Sequence, residues 1–172
     1  MTRVMGVDPG KHGEAAVILW DGVLGVVATE GAGPWLTIVE AVTVEMPDHL
    51  HRGTVEDLIA VVRTAQDLLT RANAFRAKAT EVSPTTWKGS LEKWIYHQRL
   101  LEAVSDDELR EFAAAFNKKP EQIQAYVDRA CEQHARGKRP AYQAEFTHYL
   151  DAWGIARFAA GVVDKHGFPV RK

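Results

Sequence analysis

At 172 residues the chain has the length of one ordinary domain, and its 46% hydrophobic and 26% charged content excludes disordered and collagen-like classes. Lys plus Arg is 21 and Asp plus Glu is 23, a formal net charge of −2 that argues against binding nucleic acid by bulk charge. A lone cysteine, Cys131, forbids an internal disulfide, no apolar run reaches the ~18 residues of a membrane span, and MTRVMGVDPG is no signal peptide. The expectation is a soluble protein of a reducing compartment, the cytoplasm.

Arg3 to Asp8 reads as a short β-branched strand stopped by Pro9-Gly10. Glu14 to Trp20 and Val23 to Thr29 are two more strands, joined by Asp21-Gly22, a strong two-residue hairpin signal. Gly31-Ala-Gly-Pro34 breaks the sheet, Trp35 to Val39 reads as a short helix or turn, and Ala41 to Glu45 is a fourth strand halted by Pro47. From Thr54 the period becomes helical: Thr54 and Asp57 form a capping box, and Val55, Leu58, Ile59, Val62, Leu69 and Ala72 share one stripe ending near Asn73. Lys78 to Val82 suits a fifth strand, and Ser83-Pro84 starts a helix. Leu91 to Phe146 is mostly helical, with starts at Ser105 and Pro120, a stop at Gly137, and a linker-like Arg136-Gly-Lys-Arg139. A final helix is expected from about Glu145 to Lys165. Pattern alone gives an α/β or α+β sheet with helices against it.

Three carboxylates occupy unusual places. Asp8 and Glu45 each end an apolar strand, and Asp151 lies among apolar residues of the last helix, three after His148 and on the same helical face. Each has an ordinary explanation: Asp8 as a turn organiser, Glu45 as a solvated strand end, His148 as a half-buried polar residue. Together they suit hard divalent cations, Mg²⁺ or Mn²⁺, which relieve the repulsion within an acidic cluster. Gly6, Gly10 and Gly13 lack Walker spacing, Cys131 reads as a helix-core residue, and His49 and His51 make no zinc signature. From Arg71 to Arg99 six cations face only Glu81 and Glu92, a local +4 that reads either as solvated helix faces or as a basic strip. Trp87, Trp94 and Tyr96 lie close to it, as base-stacking aromatics or, by the simpler reading for the two tryptophans, core residues at helical spacing.

These residues resemble the RuvC-type Holliday junction resolvases, in particular phage-type members. Val4-Met-Gly-Val-Asp8-Pro-Gly10 with Gly13 and Ala15 to Leu19 is similar to their opening strand pair, and Val42-Thr-Val-Glu45 to their second acidic strand. Pro84-Thr-Thr-Trp-Lys88-Gly89 resembles the segment after their fifth strand, and His148-Tyr-Leu-Asp151-Ala-Trp their closing helix. The matches run in family order and touch both ends of the chain.

The resemblance implies an α/β, RNase H-like fold: a five-stranded mixed sheet flanked by helices, as a single nuclease domain over 1–172. An additional helical segment, about 104–140, precedes the last helix. It also implies a homodimer, without membrane contact, that nicks two strands of a four-way DNA junction symmetrically. Asp8 would bridge two Mg²⁺ ions, with Mn²⁺ able to substitute; Glu45 would stand on one side, His148 and Asp151 on the other. Lys88 would stabilise charge at the cut phosphate, and Lys11, Lys93 and Arg99 would contact the DNA backbone. Dimerisation would pair two basic faces in an acidic protein.

The chain also departs from the pattern. Some resolvases carry an aromatic wedge three residues after the second acid; here that position is Asp48, with His49 or Leu50 as substitutes. His148 in place of a carboxylate predicts activity that falls as pH drops through the imidazole pKa, near ~6.5. A flat profile between about 5.5 and 8 counts against His148 as a ligand. Three alternatives share these motifs: a nuclease for flaps, forks or other branched DNA, a YqgF-like RNA-processing nuclease, and a non-catalytic junction binder. An actin-like ATPase or sugar kinase needs two such domains, for which 172 residues leave no room.

Overall fold

Alternation along the first strand sorts the molecule into two sides. In the computed structural model, which describes residues 1–10, 13–47, 54–138, 140 and 144–170, β1 (Arg3–Gly10) turns Met5 and Val7 to one face and Gly6 and Asp8 to the other. It pairs antiparallel with β2 (Gly13–Trp20), which pairs antiparallel with β3 (Val23–Val27). Asp21 and Gly22 take φ of 50° and 88° between β2 and β3, the left-handed pair that a type I′ hairpin turn requires. On its other side β1 pairs in parallel with β4 (Ala41–Glu45), and β4 in parallel with β5 (Lys78–Val82). The sheet order is β3-β2-β1-β4-β5, the five-stranded mixed sheet expected from the resemblance.

A parallel pair needs a crossover, and α1 (Val55–Ala74) supplies it between β4 and β5. Ala65, Leu68 and Ala72 of α1 cover Met5, Val7, Ile18, Val42 and Val44, one of two cores. The opposite face of β2, Ala15, Val17 and Leu19, packs under α6 (Thr147–Ala159). Outside α6 lie α3 (Lys93–Ala103), α4 (Asp106–Ala114) and α5 (Pro120–Ala135), joined to β5 through the short α2 (Pro84–Trp87). Because helices and sheet enclose it, α6 is buried at every residue from Leu150 to Arg157. Trp153 stacks on Phe112 of α4 at 4.9 Å.

The contact between α6 and β1 depends on one missing side chain. A Cβ on Gly6 would stand 2.3 Å from both the Ala152 carbonyl oxygen and the Ala156 nitrogen. Glycine lets the helix backbone rest on the strand, and Ala152 and Ala156 add the least bulk there.

The helical segment before α6 is held to the sheet by a buried carboxylate. Glu108 forms the capping box with Ser105, accepts from the Leu24 N–H of β3 at 3.0 Å, and pairs with Arg157 of α6 at 3.4 Å. Arg157 also donates to the Ala103 carbonyl. Glu108→Ala is expected to cost about 3–5 kcal/mol in urea unfolding, because it strands a buried guanidinium. A loss under about 1 kcal/mol is the value for an exposed pair and would show that this one is solvated.

Two expectations need adjustment. The last helix ends at Ala159 rather than Lys165, because Gly161 turns to φ 66°. Beyond it the Asp164 side chain accepts from the His166 and Phe168 N–H groups, which would otherwise need helical partners, while Val163 bridges Pro169. The short helix or turn expected at Trp35 to Val39 is present as turn at Leu36 to Ile38, but it begins sooner, with a 3₁₀ turn over Gly33–Trp35 where Pro34 presets the backbone. Among the described residues no helix is long and apolar enough to cross a membrane.

Candidate metal centre

Parity and register bring the acids together. Asp8 follows Gly6 by two positions and so shares its face, toward α6; Val7 is level with Val44, which sets Glu45 beside Asp8. Both acids lie toward the C-terminal ends of parallel strands, where open α/β sheets bind ligands. The three-residue spacing on α6 then aims His148 and Asp151 at them. His148 Nδ1 is 2.7 Å from Asp8 Oδ2. One ligand atom each from Asp8, His148 and Asp151 lie within 4.8 Å of one another. Glu45 is outside that trio but lines the same cleft of about 710 Å³, which Lys88 and Lys93 also border.

Each acid has its own holder. The indole N–H of Trp87 donates to Glu45 Oε2 at 2.5 Å. Lys93 pairs with Asp151 Oδ2, and His97 Nε2 lies 2.8 Å from Asp151 Oδ1. Lys93 and His97 are four apart on α3, so one helical face serves both oxygens of one carboxylate.

The protonation states follow from this crowding. Burial, followed by the charges of Asp8 and Asp151, pushes the Glu45 carboxyl up to about 8, against the pull of Lys88 and Trp87. Burial alone would raise Asp151 too, but Lys93 and His97 overcome it and hold the carboxyl well below the usual range. Lys93 is raised: burial disfavours its charge, and Asp151, Asp8 and Glu45 more than offset that. The hydrogen bond to Asp8 raises His148, whereas burial lowers His97 despite its contact with Asp151. Carboxylate oxygens with one imidazole, open to a cleft, are a donor set that fits Mg²⁺ or Mn²⁺.

The other named residues are distributed unevenly. Lys88 lies 5.1 Å over the Trp87 ring at the cleft. Arg99 donates to the His166 carbonyl at 3.0 Å and stacks over Phe168. Lys11, Asp48, His49 and Leu50 lie outside the described residues. The +4 window is not one face: Arg71, Arg76 and Lys78 sit where β5 begins, Lys88 and Lys93 beyond where it ends. Trp87 and Tyr96 are fully buried core residues, at 4.8 Å edge to face, so neither is open to a base. Trp94 is half-buried beside His134, and half-buried Cys131 lies against the Trp94 carbonyl.

Sequence reasoning missed His97 and the part Trp87 plays toward Glu45. The signal for His97 was available: four residues after Lys93, it sits among the apolar Tyr96, Leu100 and Leu101.

No family model and no curated protein matches the chain. Among solved structures it is similar to T. thermophilus RuvC in complex with a Holliday junction substrate, with a TM-score of 0.51 and 14% identity over 91% of each chain. The chain has the RuvC fold. A second Thermus thermophilus RuvC structure aligns over 92% of this chain and 94% of that one, at 14% identity and a TM-score of 0.42. Within this RuvC fold, the Asp8–His148–Asp151 cluster sits between β1 and α6, the two elements that Gly6 brings into backbone contact.

Proposed function

We propose that the chain is a divalent-metal-dependent endonuclease that cuts four-way DNA junctions. The observation that carries this reading is the meeting of Asp8, His148 and Asp151 within 4.8 Å, in a cleft shared with Glu45, on a RuvC fold. Asp8, Glu45, His148 and Asp151 would hold the metal, with Asp8 between the two sides. When bound, such ions activate water and neutralise charge on a phosphodiester. Lys88, free to leave the Trp87 ring, would meet the cut phosphate, and Lys93 would divide its charge between Asp151 and the backbone of the DNA. Arg99 would contact a more distant phosphate, and Lys11, outside the described residues, is assigned to the DNA on the resemblance alone. Two symmetric nicks need two such sites related by the two-fold of the junction, hence a homodimer.

The protonation states predict how the metal enters. Glu45, at about 8, carries a proton at pH 7, and His148 is raised toward its charged form. A cation must displace the Glu45 proton, so Mg²⁺ affinity rises from pH 6 to pH 9, and binding at pH 7 releases protons. Calorimetry in buffers of different ionisation enthalpy is expected to show a buffer-dependent heat. A heat independent of buffer at pH 7 would remove Glu45 from the ligand set.

The function itself is tested on a synthetic immobile four-way junction beside linear duplex, fork and flap controls, each with Mg²⁺ and with EDTA. Paired, ligatable nicks in the junction alone are the expected result, from a protein that sediments as a dimer. Preferential cutting of forks or flaps would keep the metal site and change the substrate. Binding without any cutting would leave a junction-binding protein, and inertness toward DNA would point to structured RNA.

A further inference from the structure

We propose that His97 is a positioning residue for Asp151: it fixes the carboxylate from behind, so that the oxygen on the cleft side is held in orientation for a metal ion. The proposal rests on the metal-site reading above.

His97 is 1% exposed and does not line the cleft; it meets the candidate ligands through Asp151. A carboxylate only accepts, so the ring nitrogen 2.8 Å from Asp151 Oδ1 carries the hydrogen and donates it. Asp151 is itself buried, at 4% exposed, and its second oxygen faces Lys93, whose side chain is one quarter exposed and borders the cleft. The two oxygens are therefore divided. One is tied to an immobile imidazole inside the core, and the other points to the side where ligands come and go. The fixed bond sets the rotation of the carboxylate, and through it the direction of the free lone pairs. His97 also stands between the buried Tyr96 and Leu100 turns of α3, a setting in which a polar ring needs a partner, and Asp151 supplies one. An acidic ligand hydrogen-bonded from outside its metal shell is held in orientation, and losing such a partner commonly lowers metal affinity by 10–100-fold.

The test compares His97→Leu, which removes the donor, His97→Asn, whose amide falls short of Nε2, and His97→Gln, whose amide reaches it. Mn²⁺ affinity of the protein without DNA is read by electron paramagnetic resonance, and folding by near-UV circular dichroism. Junction binding and nicking rate are then followed separately. His97→Leu and His97→Asn are expected to bind Mn²⁺ roughly 10–100-fold more weakly. His97→Gln is expected within about threefold of wild type, a recovery that packing alone would not produce. Junction affinity in EDTA stays unchanged while the nicking rate at fixed Mn²⁺ falls with metal occupancy. Wild-type Mn²⁺ affinity in a folded Leu or Asn variant would overturn the proposal. So would a Gln variant with Mn²⁺ affinity as low as the others, including when the Leu variant fails to fold. A wild-type protein that binds no Mn²⁺ overturns the metal-site reading and this one with it, whereas wild-type binding with indifferent variants overturns this one alone.

Discussion

Asp8→Asn is expected to abolish Mg²⁺-dependent junction nicking, by roughly 10³-fold or more, while junction binding in EDTA persists. Metal charge stabilisation of a phosphoryl transition state amounts to several kcal/mol, and each ~1.4 kcal/mol is tenfold in rate. The substitution is nearly isosteric, and Asp8 sits where its loss removes a member of the 4.8 Å cluster without opening a cavity. A second effect separates loss of metal from damage to the fold. Asp8 is one of the charges that push Glu45 up to about 8, so in the variant Glu45 titrates lower and the metal-free protein loses a repulsion. Wild-type protein at a Mg²⁺ concentration 100 times Kd gains about 2.7 kcal/mol, roughly 5–10 °C in Tm for a chain of this size. The variant is expected to gain almost nothing from Mg²⁺ while keeping the wild-type near-UV circular dichroism without it. An unchanged Mg²⁺-induced shift in Asp8→Asn would place the metal elsewhere.

Gly6→Ala is expected to be the most damaging glycine-to-alanine change among the described residues. The added carbon meets backbone on both sides, the Ala152 oxygen and the Ala156 nitrogen at 2.3 Å, so no rotamer change relieves it. Overpacking typically costs 1–3 kcal/mol when side chains yield, and about 3 kcal/mol or more is expected where a buried helix must lift off a strand. Lifting α6 also carries His148 and Asp151 away from Asp8. The variant should therefore lose metal affinity even where enough folded protein remains to assay. Urea unfolding with Mn²⁺ titration checks both. A loss below about 1 kcal/mol with intact Mn²⁺ binding would mean that β1 and α6 are less tightly apposed than this geometry requires.

Much of the architecture follows from local chemistry. Asp21-Gly22 forms its hairpin because both residues tolerate positive φ, and Thr54 and Ser105 cap their helices through side chains three residues from their partners. The strand expectations agree with the sheet to within two residues at each end. The last helix was overextended because a helical stripe does not register an Asp164 side chain that captures two N–H groups beyond a glycine cap. The role of Glu108 was equally hidden: its local signal is a capping box, and its buried partner Arg157 is 49 residues away. The charge window from Arg71 to Arg99 is contiguous in the chain, yet β5 runs through its middle and sends its two halves to opposite ends of the sheet.

By itself the sequence determined the elements, the turns and the acidic candidates, since spacing, caps and turn residues act over a few positions. His148 and Asp151 share a face because they are three apart, and Gly6 and Asp8 because they are two apart. Only the tertiary structure decided that these two faces meet, which needs a helix lying directly on a strand at Gly6. It alone joined His97 to Asp151 across 54 residues and Trp87 to Glu45 across 42. Those bonds form between elements whose separation along the chain carries no local signal, because burial and packing, rather than periodicity, bring them within reach.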